Sequence, residues 1–252
     1  MKLCYIKLNK GEERWGFSRY LILTVSVVLI FALIITSLGG ADMAASAQPQ
    51  TSDIIILDAG HGGEDPGAVG INGALEKDVN LSVALRLGEI LKDNGFTVLY
   101  TRSEDKLLYK AEENIKGLRK ISDLKNRVAF CEEYPGALFI SLHMNSYGSE
   151  KYSGLQVYSK PQSTESKNLA EKIQSAVKEN LQPDNKRQVK DGEGIFVLEK
   201  NSLESVLIEC GFLTNAQEAE RLSEKEYQND LCFAIVCGII EYTEEIKYRK
   251  EE

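Results

Sequence analysis

Three runs in this chain are too continuously apolar to be strands with one wet face: "DIIILDA" (53–59), "ALFISLHMN" (137–145) and "SVLIECGF" (205–212). A half-exposed strand alternates apolar with polar residues, whereas a strand covered on both faces reads as one unbroken run. Such runs need helices above and below them, and the sequence supplies candidates. Residues 76–94 carry Val79, Val83, Leu87, Ile90 and Leu91 at helical spacing and stop at Asn94-Gly95. Segments 122–134, 163–181 and 215–246 are amphipathic in the same way, the last reading as helix to its end. "FTVLYT" (96–101), "GLQVYS" (154–159) and "GIFVLE" (194–199) read as further strands. The alternation predicts an α/β fold: a single domain with a mixed β-sheet of about six strands and helices on both faces. Residues 103–120 are charged and aperiodic, and read as a mobile excursion.

The amino terminus differs in kind. Five basic and three acidic side chains give residues 1–47 a charge of +2, so the overall −8 leaves −10 on residues 48–252. Residues 20–38 are apolar without a charge, close to the ~20 residues that a membrane span requires. "ASA" at 45–47 follows, a small-x-small pattern of the kind that signal peptidase accepts. Residues 1–47 therefore read as a signal peptide or a membrane anchor, 48–53 as a linker and 54–246 as the folded domain. Either reading exports that domain, because the basic flank stays inside. Its acidity argues against nucleic acid as a partner. The five cysteines show no paired metal-binding spacing. Cys232 and Cys237 lie in an apolar helical pattern and read as small buried hydrophobes, and no disulfide is expected.

Chemistry in α/β sheets gathers where strands run into loops. The first buried strand ends in Asp58 and His61, the third in His143 and Asn145, and the last in Glu209; Glu76 opens the helix after the glycine loop. The chain has only two histidines. Two histidines and a carboxylate, with a fourth place open, make a catalytic zinc shell. Each residue also has a plainer reading: His61 as a turn residue, His143 as a core histidine, Glu76 as a first-turn glutamate favouring the helix dipole. Glu209 has less of one, since a carboxylate behind "VLI" is costly to bury unless it is paired or used. Cys210 points to the opposite face of the same strand. A dinucleotide fingerprint beginning at Gly60 and Gly62 fails at its third position, which is Asp65.

"DAGHGGEDPGAVG", "EKDVNLSVALRLGEIL", "TVLYTR", "LKNRVAF", "FISLHMNS" and "VLIECGFLTN" resemble, in order, the motifs of zinc-dependent N-acetylmuramoyl-L-alanine amidases, over residues 54–240. The resemblance implies one zinc ion held by His61, Glu76 and His143, with Glu209 as catalytic base. Ala59 and Met144 stand where that family commonly has proline and alanine; neither is a ligand position. The implied reaction is hydrolysis of the amide between N-acetylmuramic acid and L-alanine in peptidoglycan, so the implied partners are glycan strands bearing stem peptides. A lone catalytic domain behind a membrane-targeted segment, "RKISDLKNRV" and the cysteine of "IECGF" are similar to the germination-specific amidases of spore-forming bacteria. That narrower likeness implies work in the forespore cortex space, leading to muramic-δ-lactam. Asp58 is a candidate to orient His61, or else a turn residue. Asn145, Arg102 and Arg127 are candidates to hold glycan or peptide, an ion pair being the alternative for Arg127. A zinc peptidase acting within the stem peptide and a non-catalytic wall-binding module are the rival readings, and an accessory protein is left open.

Overall fold

The computed structural model of the protein describes residues 53–251, apart from 110, 111, 113, 114, 116 and 117. The run 20–38, with its signal and anchor readings, lies outside the described residues. Among the described residues no helix is long and apolar enough to cross a membrane.

Strand β1 (Ile54–Ala59) lies between β2 (Thr97–Tyr100) and β3 (Leu138–Asn145), and β3 pairs next with β6 (Glu204–Phe212). These four are mutually parallel. β4 (Gln156–Ser159) then joins β6 antiparallel, and the two-residue β5 (Lys190–Asp191) closes the sheet beside β4. The order β2-β1-β3-β6-β4-β5 makes a six-stranded mixed sheet. Ile55, Ile56 and Leu57 are completely buried in succession, which requires cover on both faces.

On one face lie α1 (Glu76–Asp93), α3 (Thr164–Asn180) and α6 (Lys225–Glu251). The α1 stripe Val79, Val83, Leu87 and Leu91 is buried, and each such side chain contributes about 1.5–3 kcal/mol. Gly95, at φ 91°, ends α1 in a left-handed turn that brings the Phe96 N–H back to the Leu91 carbonyl. α3 and α6 approach so closely at Gly238 that a Cβ there would meet the Ile173 Cα at 2.6 Å. On the other face, α2 (Arg119–Glu132) and the short α4 (Phe196–Lys200) cover Ile56, Phe139 and Leu207.

Several expectations are corrected. "GIFVLE" is not a strand: its second half is α4, with the Leu198 and Glu199 N–H groups both turned back to the Ile195 carbonyl. A short apolar run carries no usable period, and Val197 and Leu198 satisfy their hydrophobicity by packing under α2. The segment 215–246 is not one helix. α5 (Ala216–Ser223), capped by the Asn215 side chain, ends at Glu224, whose extended backbone separates it from α6. The expected helix 122–134 begins earlier, at Arg119. The described start of the 103–120 excursion is pinned: Asp105 accepts hydrogen bonds from the Gly63 N–H and the Lys77 ammonium, both at 2.6 Å.

Candidate active site

Parallel β1, β3 and β6 deliver their carboxyl ends to one edge of the sheet, where the chain leaves regular structure. After β1 the backbone turns through His61, which sits at φ 60° in the left-handed region that few non-glycine residues occupy. Two arginines hold that turn. Arg127 donates to the His61 carbonyl at 2.8 Å and the Ala59 carbonyl at 2.8 Å. Arg102 donates to the carbonyls of Ala59 (2.8 Å), Gly60 (3.0 Å) and Lys77 (2.8 Å). Both guanidinium groups are buried, so neither is placed to grip a glycan or peptide. For Arg127 the ion-pair reading holds: it pairs with Asp58 and Asp123. Gly60 is needed for space, since a Cβ there would lie 2.2 Å from two ring atoms of His143.

His61, Glu76 and His143 come together. The Glu76 Oε1 atom lies 3.1 Å from His61 Nε2 and 3.0 Å from His143 Nδ1, and it accepts the Met144 N–H at 3.2 Å. Its Oε2 accepts the Ala68 N–H at 2.8 Å. One ligand atom from each of the three residues lies within 4.8 Å of the others. Burial alone would raise the Glu76 pKa; hydrogen bonds and charge from the two histidines outweigh it and hold the group well below the ordinary carboxylate range. For His61 burial works towards the neutral ring, and Glu76 and Asp65 outweigh it, raising the pKa. Two borderline nitrogen donors and one carboxylate, converging beside a cavity of about 280 Å³, fit a divalent metal with an open position.

Asp65, not Asp58, orients His61: its Oδ2 lies 2.9 Å from Nδ1, leaving Nε2 to face Glu76. Asp58 lies beneath, holding Thr101, Ser141 and Arg127. Asn80 is a second residue that sequence reading missed. One helical turn beyond Glu76, it donates to the Gly60 carbonyl at 3.0 Å, so the spacing of four was the available signal. Asp65 stands four residues after His61, but only the fold of the glycine loop returns it to the ring.

Glu209 sits on β6 directly across the ladder from His143. Burial pushes its carboxyl up to about 6, with His143 and His61 opposing and Glu76 reinforcing the rise. Its Oε2 is buried and has no hydrogen-bond partner among the described residues. A carboxyl of that pKa, held beside the His61–Glu76–His143 cluster, is suited to exchanging protons near neutral pH. The backbone carbonyl of Asn145 accepts the Leu213 N–H at 2.9 Å, joining the loops that leave β3 and β6.

Comparison with known proteins gives the family. The family model described as N-acetylmuramoyl-L-alanine amidase matches residues 55–241. The chain is 39% identical over 196 residues to the germination-specific N-acetylmuramoyl-L-alanine amidase of Bacillus subtilis (strain 168), covering 77% of this chain and 81% of that one. It is 34% identical to the N-acetylmuramoyl-L-alanine amidase LytC of the same organism, across 77% of this chain and 36% of the relative. Among solved structures, the CwlD amidase of Clostridioides difficile in complex with the GerS lipoprotein superposes with a TM-score of 0.72 at 39% identity, over 75% of this chain and 97% of that one. The AmiC2 amidase of Nostoc punctiforme does so with a TM-score of 0.66 at 31% identity, over 77% and 98%. The chain belongs to the N-acetylmuramoyl-L-alanine amidase family and is an enzyme of that activity, acting on peptidoglycan outside the cytoplasm.

Proposed function

We propose that one zinc ion is the cofactor, that His61, Glu76 and His143 hold it, and that Glu209 is the catalytic base. The observation that carries this is the meeting of His61, Glu76 and His143, one ligand atom from each within 4.8 Å of the others, with Glu209 across the ladder from His143. When bound, zinc supplies Lewis acidity to water and to the scissile carbonyl. The protein's part is positional and protonic. Asp65 fixes the His61 ring with Nε2 inward, and Asn80 steadies the Gly60 carbonyl behind it. Glu209 takes a proton from the attacking water and delivers it to the amide nitrogen of L-alanine, which leaves poorly until it is protonated.

The place of action is read as the cortex space of the developing spore, with muramic-δ-lactam the later product. The likeness to the germination-specific amidase of B. subtilis supports that reading. Residues 1–47 act as signal or anchor, and a lipoprotein partner of the kind bound by the C. difficile amidase is proposed for this chain too.

Digestion of purified peptidoglycan with the full chain and zinc tests the reaction. Mass spectrometry is expected to find whole stem peptides with a free L-alanine amine beside intact glycan. Shortened peptides still attached to muramic acid would overturn it in favour of a peptidase. His61→Ala and His143→Ala are each expected to lose bound zinc as well as turnover, and undiminished zinc content would strike that residue from the ligand set.

A further inference from the structure

A second, larger groove, of about 570 Å³, opens at the same edge of the sheet. It is placed beside the catalytic residues by the strand register. Gln156, which orients one of its walls, lies across the β4–β6 ladder from Glu209, and Phe212 lies across from Asn145. The groove is lined by four cations, Lys151, Lys186, Arg187 and Arg221, and two carboxylates, Asp184 and Glu218. Glu218 is committed elsewhere: its two oxygens accept the Gly154 and Phe212 N–H groups at 2.9 and 2.8 Å. Among the described residues no carboxylate makes an ion pair with any of the four cations. In a chain of net charge −8, a groove lined by four cations against two carboxylates is a local excess of positive charge that suits an anion.

Arg187 is the fixed element. Its Nε donates to the Ser153 carbonyl at 2.8 Å and its Nη1 to Gln156 Oε1 at 3.0 Å, while its own N–H is held by Asn185 at 2.9 Å. The guanidinium carbon lies 4.4 Å from the centre of the Phe212 ring. Phe212 stacks on Tyr152 at 6.2 Å, and Tyr152 meets the exposed Tyr147 edge-on at 4.8 Å. A line of rings thus leads from the loop after β3 to a guanidinium whose Nη2 makes no hydrogen bond to a described residue. Such an oriented fork suits a carboxylate.

Where the charges lie on the substrate decides which part the groove receives. The glycan beside the scissile bond is uncharged, because its sugars are N-acetylated and its lactyl carboxyl is consumed in the amide. The free carboxylates all belong to the stem peptide. We propose that this groove is the subsite for the acidic peptide arm of the substrate, and that Arg187 is its carboxylate anchor and a determinant of specificity. The inference rests on the amidase substrate proposed above.

Calorimetric titration of the full chain, stripped of metal by chelator, tests it with two probes: the free stem peptide and the same peptide with its carboxylates amidated. The free peptide is expected to bind about tenfold tighter or more, as a lost charge-assisted hydrogen bond would dictate. Arg187→Ala should abolish that difference. So should the double substitution Lys151→Glu, Lys186→Glu in large part, which alters groove lysines and leaves the held guanidinium in place. With zinc restored, Arg187→Ala should raise KM for the unamidated substrate and leave kcat near its native value. Equal binding of the two probes, or discrimination that survives Arg187→Ala, overturns the proposal, as does tighter binding of peptide-free glycan. An inactive chain that still selects the acidic peptide would sink the hydrolytic reading and leave the groove standing; an active chain indifferent to Arg187 would do the reverse.

Discussion

Burial raises the Glu209 carboxyl from 4.5 to about 6, so the folded chain holds this proton more tightly than the unfolded one does. Between those two values the folded state binds more protons, and stability therefore falls as pH rises through the window. The shift corresponds to roughly 2 kcal/mol. In metal-free protein, Glu209→Gln is expected to be about 2 kcal/mol more stable than the native chain at pH 7 and no different at pH 4, in urea unfolding with chelator present. The zinc-loaded variant should keep its metal and lose ~10²–10⁴ of its turnover. A variant with native stability at pH 7 would mean that the buried Oε2 finds a partner. The clustering of His61, Glu76 and His143 was legible because each stands near a strand or helix end, and because a chain with two histidines leaves little choice. Asp65 was not legible as the partner of His61. Asp58 is nearer the strand end, but its side chain points down the sheet face towards Ser141 and Thr101. Only the left-handed turn at His61 brings Asp65 to the ring.

At the scale of elements, α2 is more than a cover for the sheet. Its Arg127 crosses to Asp58 on β1, pairs with Asp123 one turn back, and carries the His61 carbonyl. Burial would push the Asp58 pKa up, but the Arg127 charge and the hydrogen bonds from Thr101, Ser141 and Arg127 outweigh it and hold it low. Arg127→Met would strand that carboxylate, and is expected to cost about 3–5 kcal/mol. Adding Asp58→Asn should recover much of the loss, because the orphaned charge goes with it. Metal affinity should stay reduced in both variants, since the His61 turn has lost a donor either way. Thermal unfolding and zinc titration of the single and double variants separate the two effects. The helices with long stripes were readable from spacing alone. The five-residue α4 was not, since a short apolar run satisfies either period, and its packing under α2 decides the matter. The break at Glu224 was equally hidden, because both flanking segments are helical and only the extended backbone of one residue parts them.

For the whole molecule, the three unbroken apolar runs foretold the parallel centre of the sheet, since nothing but two-sided cover tolerates them. The run 154–159 was legible as a strand of a mixed sheet, but its antiparallel pairing with β6 and the two-residue β5 were not, since such pairing depends on partners distant in sequence. The same double cover governs the sulfur chemistry. Cys131 is completely buried on the α2 side, and Cys210 and Cys232 are completely buried on the α6 side. Burial pushes the Cys232 thiol up to about 12 and raises Cys131 and Cys210 as well. Thiolate, the reactive form, is therefore scarce until the layers part. Both layers rest on the same central strands, so the three thiols are expected to be alkylated at one shared slow rate, read peptide by peptide in native buffer. Cys131 reacting well ahead of the others would mean that the α2 layer peels away alone. The intact tertiary structure is thus its own antioxidant, and each transient opening is the moment at which the enzyme can be damaged.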